Sequence, residues 1–216
     1  MATVAELQAL PVRGARERGS EAWRLQGILA FFFSQTRFSP SIHQGVSAPP
    51  PETRGFGLQQ TMLRIKDPEL SLRFYTGVLG MTLLTRLDFP ERDFSLYFLG
   101  FTSSSDTAAI PDDPADRAEW VFNLPNTLEL THNYGTEAEA GRVYSSGNDD
   151  GSKGFGHIGV SVPSVAAACA RFEFLGVPFV KRPDAGSMKD IAFIADPDGY
   201  WIEIIEPGKM RQFASS

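Results

Sequence analysis

Residues 154–162 read Gly-Phe-Gly-His-Ile-Gly-Val-Ser-Val, a strand-like run that contains one of the three histidines in the 216-residue chain. Residues 58–66, Leu-Gln-Gln-Thr-Met-Leu-Arg-Ile-Lys, form a second run with the same layout. Each run precedes a segment with apolar residues at helical spacing, then short alternating runs, and finally a strand-like run with a central glutamate. This repetition predicts an α+β fold in which a βαβββ unit occurs twice.

The two units also share their helix signals. In the first, Asp67-Pro68 predicts an N-cap followed by proline at the first helical position, and Gly80 predicts the helix end. In the second, Pro163-Ser164 opens a helical pattern that ends at Gly176. We therefore expect one domain over residues 58–210, built from two modules whose mixed sheets curl.

Module 1 is placed at residues 58–135 and module 2 at residues 154–210. Residues 102–118 carry several serines and two Asp-Pro-type turns, so we expect an excursion loop there. Residues 1–57 differ in composition: arginines are scattered among Gly, Ser, Ala and Pro, and three prolines stand at 49–51. This composition is typical of a disordered extension or of an organelle transit peptide, and both alternatives stay open.

The overall composition excludes several classes of protein. A formal net charge of −6 disfavours nucleic acid as a partner, because phosphate binding needs a basic surface. The longest apolar run, Ile28 to Phe33, is too short to span a membrane. The single cysteine, Cys169, excludes an intramolecular disulfide and fits a reducing compartment. We expect a soluble cytoplasmic protein, or an organelle protein if residues 1–57 are a transit peptide.

Four polar side chains occupy equivalent places in the two modules. Gln60 and His157 lie on the first strands, whereas Glu129 and Glu203 lie on the last strands among large apolar residues. A carboxylate in such surroundings is costly unless something satisfies it, and a divalent cation would satisfy both. One imidazole nitrogen with three oxygens leaves open positions for chemistry. The sequence therefore predicts one divalent-metal site; the rival ligand, His132, faces the opposite side of its strand.

The alternation of side chains along a strand adds two more polar groups to this face. Arg64 shares a face with Gln60, and Asn133 shares one with Glu129. A guanidinium and an amide beside a metal suit an anionic, peptide-like substrate. For Arg64 the alternative is a surface ion pair with Asp67.

These segments resemble the glyoxalase I family, the lactoylglutathione lyases of the vicinal-oxygen-chelate superfamily. The resemblance covers residues 58 to about 210 almost continuously and does not extend to the first 57 residues. The runs that carry it are Gln-Gln-Thr-Met-Leu-Arg-Ile-Lys-Asp-Pro, Phe-Ser-Leu-Tyr-Phe-Leu-Gly, Thr-Leu-Glu-Leu-Thr-His-Asn-Tyr-Gly-Thr-Glu, Gly-Phe-Gly-His-Ile-Gly-Val and Asp-Pro-Asp-Gly-Tyr-Trp-Ile-Glu-Ile.

The resemblance implies a homodimer with one divalent ion per site, shared between chains. Gln60 and Glu129 would come from one chain, and His157 and Glu203 from the other. The ion would be zinc, because the added 102–118 segment is similar to the longer, zinc-type branch; nickel is the alternative. The implied substrate is the hemithioacetal of methylglyoxal and glutathione, and the implied product is S-lactoylglutathione, formed by proton transfer through an ene-diolate.

The catalytic and substrate-binding roles complete this hypothesis. We expect Glu203 to leave the metal and act as the base, while Glu129 stays as a ligand and serves the other substrate face. Matching positions imply substrate contacts from Arg64, Asn133, Lys153, Lys181 and Met188. Lys153, expected from the partner chain, stands where many relatives have arginine, so the charge is kept and bidentate geometry is lost.

Two other functions remain compatible with the same fold. One is a small-molecule-binding protein without catalysis, which would use the cleft without a metal. The other is an extradiol dioxygenase, whose iron site needs two histidines and one carboxylate. Gln60 stands where the second histidine would be required, which disfavours the dioxygenase.

Overall fold

The structure is a computed structural model that describes residues 48–149 and 151–214. Most of the predicted extension, residues 1–47, and the tail histidine His43 with it, lie outside the described residues. None of the helices in the described part of the chain is long and apolar enough to span a membrane.

Module 1 folds into a four-stranded mixed sheet in the order β1-β4-β3-β2. Strand β1 runs parallel to β4, and the other neighbours are antiparallel. The strands are β1 (Gln60–Ile65), β2 (Thr82–Phe89), β3 (Phe94–Gly100) and β4 (Thr127–Asn133).

Module 2 repeats this sheet with the order β5-β8-β7-β6, again with the first and last strands parallel. The strands are β5 (His157–Ser161), β6 (Phe179–Lys181), β7 (Ala192–Ala195) and β8 (Trp201–Ile205). Because both sheets place the first strand of the module beside its last, the predicted α+β fold of two βαβββ units is confirmed.

The first helix begins where the sequence predicts. Helix α1 (Pro68–Leu72) is capped by the Asp67 side chain, which accepts the amides of Glu69 and Leu70. It continues as a π-helical segment, Arg73–Val78, which the sequence did not predict. The Thr76 hydroxyl donates to the Leu72 carbonyl at 2.7 Å and so competes for the acceptor of an α-helical bond. Gly80 (φ +78°) then ends the helix as expected.

The second module matches this arrangement with helix α4 (Val165–Phe174). The Ser164 hydroxyl accepts the amide of Ala167, and Gly176 (φ +70°) follows the helix end. Short helical segments complete the described chain: the helix Arg211–Ala214 and the 3₁₀ turns Pro51–Thr53, Pro90–Arg92, Thr136–Ala138 and Pro207–Lys209.

The prediction of an excursion loop at residues 102–118 is wrong. This stretch contains helix α2 (Ser104–Ala108) and the first half of helix α3 (Pro114–Asn123). Ser103 and Asp106 form a capping box, and Asp113 caps α3 ahead of Pro114. The Asp-Pro pair taken as a turn was therefore the same helix start that was recognised at Asp67-Pro68.

One apolar core serves both modules. Its buried members come from the strand faces that point toward the helices, and from the helices themselves. They include Leu63, Ile65, Tyr75, Leu130, Val160, Cys169, Phe172, Ile194, Ile202 and Ile204. Since alternate residues point to opposite faces, packing this face leaves the other face of each sheet for polar side chains.

A buried polar junction joins module 1 to the turn between β7 and β8. The Tyr75 hydroxyl donates to Asp196 Oδ2 at 2.8 Å, and the Lys66 amide donates to Asp198 Oδ1 at 2.9 Å. Asp196 also accepts the amides of Asp198 and Tyr200. Burial nevertheless raises the pKa of Asp196 from 3.8 to about 6, because the loss of water around its charge outweighs these three hydrogen bonds, each of which lowers the pKa.

This raised pKa makes the stability of the fold depend on pH. The folded-state pKa lies above that of the unfolded chain, so the contribution of Asp196 is complete below pH 4 and is lost as pH rises through 6. Between pH 4 and 8 the wild type should lose about 3 kcal/mol more stability than Asp196→Asn. Denaturant unfolding across this range measures the difference, with the exposed Asp184→Asn as control. If the free energy of unfolding changed with pH equally in the wild type and in Asp196→Asn, this prediction would be wrong.

Candidate metal centre and substrate pocket

The first pair of predicted ligands lies on the open face of the module 1 sheet. Gln60 begins β1, and Glu129 lies on the adjoining β4, where it pairs in register with Met62. The Gln60 side-chain amide donates to Glu129 Oε2. Glu129 is only 7% exposed, and the buried Gln60 Oε1 has no hydrogen-bond partner in the described part of the chain. A buried carboxylate beside an unpaired amide oxygen is a donor set that fits a cation.

The second pair lies in the corresponding place on the module 2 sheet. His157 begins β5, and Glu203 lies on the adjoining β8, paired in register with Gly159. His157 Nε2 is 3.3 Å from Glu203 Oε2, so one nitrogen and one oxygen donor stand side by side. Phe193 holds the imidazole by an edge-to-face contact with ring centroids 5.2 Å apart. The His157 side chain is 42% exposed, which leaves this pair open to a ligand.

The chain brings the four predicted ligands together as two pairs and not as one cluster. Within residues 48–149 and 151–214, no three His, Cys, Asp or Glu side chains are close enough to hold a metal ion together. The two pairs have the same strand positions in the two sheets. The two pairs therefore have matching places in the fold but do not meet within one chain.

His132 is engaged elsewhere, as the alternation along β4 predicts. It is buried, and its Nε2 lies 2.7 Å from Glu137 Oε2. Glu137 also accepts the Gly135 amide. These contacts satisfy the buried His132 side chain without a metal ion.

Arg64 lies at a cavity of ≈ 360 Å³, which Asn133 borders only through a hydrogen bond to one of the lining residues. Arg64 lines the cavity with Tyr144, and Asn133 Nδ2 donates to the Tyr144 hydroxyl at 3.0 Å. The alternative ion pair between Arg64 and Asp67 is not formed, because the Asp67 carboxylate caps α1. Sequence reasoning missed Tyr144, which lies between the modules where no periodic pattern marks an element.

Lys181 and Met188 belong to module 2, whose sheet carries the His157–Glu203 pair. Lys181 pairs in register with Phe193, the neighbour of Glu203 across the sheet. Its ammonium donates to the carbonyls of Met188 at 2.7 Å and Ile191 at 2.6 Å. Burial, followed by the repulsion of Lys189, lowers the pKa of Lys181.

The remaining predicted contact, Lys153, is exposed in the segment before β5. The structure therefore places Arg64 at one cavity, with Asn133 bonded to the Tyr144 that lines it, and it places Lys181 and Met188 in another region. It places Lys153 with neither group.

An apolar wall beside Glu129 was also missed. Phe122 on α3 is 48% exposed, and its ring packs edge-to-face on Phe98 with centroids 5.0 Å apart. Phe98 pairs in register with Glu129, so this wall borders the first pair. The signal was the apolar run Trp120-Val121-Phe122 after a capped helix start, which the loop assignment hid.

Two mixed sheets of the same topology, each with a pair of polar donor side chains in the same place, define an α+β protein of the βαβββ class. The chain belongs to the Glyoxalase/Bleomycin resistance protein/Dioxygenase superfamily, whose model matches residues 57–204.

Similar proteins narrow this class. The chain is 55% identical to a lactoylglutathione lyase of Pseudomonas putida over 73% of this chain and 88% of that protein. It is 49% identical to a lactoylglutathione lyase of Pseudomonas aeruginosa over 78% of this chain and 93% of that protein. Among solved structures, the trypanothione-dependent glyoxalase I of Leishmania major matches with a TM-score of 0.54 and 29% identity, over 74% of this chain and 93% of that one.

The two pairs predict which histidine controls metal affinity. Replacing His157 by alanine should weaken zinc binding by more than about 100-fold, since even changes to residues that only support a ligand cost about 10- to 100-fold. His132→Gln should bind zinc like the wild type, because its partner is Glu137. Calorimetric titration of the metal-free proteins measures both affinities. Equal losses in the two variants would contradict the assignment.

Proposed function

We propose that the chain is a lactoylglutathione lyase that converts the hemithioacetal of methylglyoxal and glutathione to S-lactoylglutathione. The observation that carries the proposal is the matched placement of Gln60–Glu129 and His157–Glu203 on two sheets of the same topology. The identity of 55% to a lactoylglutathione lyase supports this activity within a superfamily that also contains binding proteins and dioxygenases.

The metal of this enzyme would be held by Gln60, Glu129, His157 and Glu203. A divalent ion there supplies Lewis-acid stabilisation of the negative charge that develops on the substrate oxygens. We propose zinc, with nickel as the alternative, because three oxygens and one imidazole nitrogen suit a borderline divalent ion. The unpaired Gln60 oxygen supports the assignment, since an isolated buried acceptor is costly without a partner.

A second copy of the chain would complete the site. One chain keeps its donor pairs apart, so we propose a homodimer in which Gln60 and Glu129 face the partner's His157 and the partner's Glu203. Exposed apolar side chains support this proposal. Leu58, Phe101 and Phe155 line the same groove of ≈ 620 Å³ as His157. Their burial against a partner would remove apolar surface from water.

Of the two carboxylates, Glu129 and Glu203, the one with fewer hydrogen bonds is the better candidate for proton transfer. Glu129 accepts from the Gln60 amide and from the Thr131 hydroxyl at 3.0 Å, so it is held in place. Glu203 contacts only His157 Nε2 within the described chain. We therefore assign Glu203 as the base that takes the proton from the substrate carbon and returns it to the adjacent carbon. Glu129 stays in position on the other substrate face.

Substrate recognition would use groups on both sides of this centre. Arg64 and Asn133 would bind the glutathione moiety at the cavity that Arg64 and Tyr144 line, since a guanidinium and an amide suit carboxylates. Lys181 and Met188 would contribute near Glu203, and the partner's Lys153 would add charge. We propose a cytoplasmic location, with residues 1–57 outside the catalytic domain.

The activity is tested by the thioester absorbance that appears when methylglyoxal and glutathione are added. The wild type should form the thioester, and a chelator should abolish the reaction until zinc or nickel is restored. A protein that binds the thioether of glutathione without forming thioester would be a binding module instead.

The assignment of the base is tested by Glu203→Gln, which keeps an oxygen donor and removes basicity. We expect kcat to fall by about 10²- to 10⁴-fold, with the metal still bound. Glu173→Gln, on the exposed side of α4, serves as the matched control and should keep wild-type kcat. Near-full turnover by metal-loaded Glu203→Gln would overturn this assignment.

A further inference from the structure

We propose that Tyr144 is a positioning residue for the substrate carboxylate: its hydroxyl fixes the Asn133 amide at the mouth of the Arg64 cavity. This inference rests on the proposed function, because it assumes that the cavity receives the glutathione moiety. Tyr144 lies in neither predicted module, between residues 135 and 154.

The segment that carries Tyr144 is tied to itself by several polar contacts. The Ser145 and Ser152 hydroxyls lie 2.6 Å apart, and the Ser146 amide donates to Asp149 Oδ2 at 2.9 Å. Asp149 also pairs with Arg142. Tyr144 is thereby held on a closed loop, so its ring has a defined place from which to bond β4.

The hydrogen bond to Tyr144 fixes the Asn133 amide beside the cavity that Tyr144 and Arg64 line. Its hydroxyl oxygen accepts from Asn133 Nδ2, and its own proton has no acceptor in the described part of the chain. The Arg64 guanidinium likewise makes no hydrogen bond or ion pair within residues 48–149 and 151–214. An amide held in one orientation by this hydroxyl and a guanidinium without a partner in the described chain together suit a carboxylate.

The walls of the cavity strengthen these interactions. Phe155 and Tyr200 line it, and their rings meet edge-to-face with centroids 5.9 Å apart. Burial raises the pKa of Tyr200 to about 12, so this phenol stays neutral beside Arg64. This phenol therefore adds no negative charge that would compete with an anionic ligand for Arg64.

The distance from the metal-type pair fits an extended peptide. Asn133 and Glu129 lie on the same face of β4, four residues apart, which corresponds to about 13 Å of strand. Three extended residues span about 10–11 Å at 3.3–3.6 Å per residue, and the group added on the sulfur of a tripeptide thiol covers the remaining distance. A substrate whose reacting carbon lies at Glu129 can therefore place a carboxylate beside Tyr144.

The test removes only the hydroxyl, in Tyr144→Phe. We expect KM for the hemithioacetal and Kd for an S-alkylglutathione to rise about 5- to 20-fold, the loss typical of one hydrogen bond. We expect kcat and zinc stoichiometry to stay at wild-type values. Binding of the diethyl ester of the same S-alkylglutathione should not change, because the ester has no carboxylate.

The matched control is Tyr134→Phe. The Tyr134 hydroxyl lies 2.9 Å from Ser95 Oγ, away from the cavity, so this variant loses a phenol of similar geometry. It should bind both ligands like the wild type. If Tyr144→Phe weakens the ester as much as the acid, or lowers kcat with KM unchanged, the positioning role is wrong.

A double-mutant cycle separates action through Asn133 from direct binding. In Asn133→Ala, adding Tyr144→Phe should weaken the S-alkylglutathione by less than twofold, because the amide to be positioned is gone. Additive losses would overturn the inference. The binding assays do not require that the enzyme turn over. Wild-type protein that binds the S-alkylglutathione tightly but forms no thioester would refute the proposed reaction and leave the role of Tyr144 standing. Turnover with an unaffected Tyr144→Phe would refute the role of Tyr144 alone.

Discussion

The buried Glu129 carboxylate is the constraint on which the rest of the molecule depends. It sits in a central strand between Leu128 and Leu130, with 7% of its surface exposed. A charge in such a place needs a compensating partner. Only the Gln60 amide and the Thr131 hydroxyl supply one within the described chain. Module 2 repeats the arrangement with Glu203 and His157. Two buried or half-buried carboxylates that face away from the core explain why a metal is the reasonable occupant.

The duplicated topology makes this placement possible. Because each module puts its first strand parallel to its last, a donor on one strand lies beside a carboxylate on the other without any long loop. The shared apolar core and the Tyr75–Asp196 junction then fix one module against the other. As a lactoylglutathione lyase, the protein needs this rigidity, since proton transfer depends on donors placed to within a fraction of an ångström.

The strands and the donor pairs could be predicted because alternation and helix caps are local signals. Aligning the two units singles out Gln60, Glu129, His157 and Glu203. The alternation of side chains along β4 also predicted correctly that His132 faces the opposite side of the sheet from Glu129. The π-helical segment after Leu72 could not be foreseen, since apolar residues at helical spacing do not distinguish it from an α-helix; within it, the Thr76 hydroxyl bonds the Leu72 carbonyl. Helix α3 was not predicted because its Asp-Pro start was interpreted as a turn. The place of Phe122 beside Glu129 was therefore not predicted either. Tyr144 lies in an aperiodic loop, where only tertiary contacts define its role.

The central claim is that two half-sites from different chains hold one ion, and subunit exchange tests it most directly. Chains with Glu129→Ala and chains with Glu203→Ala are each purified, mixed in equal amounts, dissociated and reassembled. Half of the resulting dimers should be mixed, each with one intact site, so lyase activity should return to about a quarter of the wild-type value per chain. Zinc binding should return in proportion. If each site lay within one chain, every site would carry a substitution, and the mixture would stay as inactive as its components.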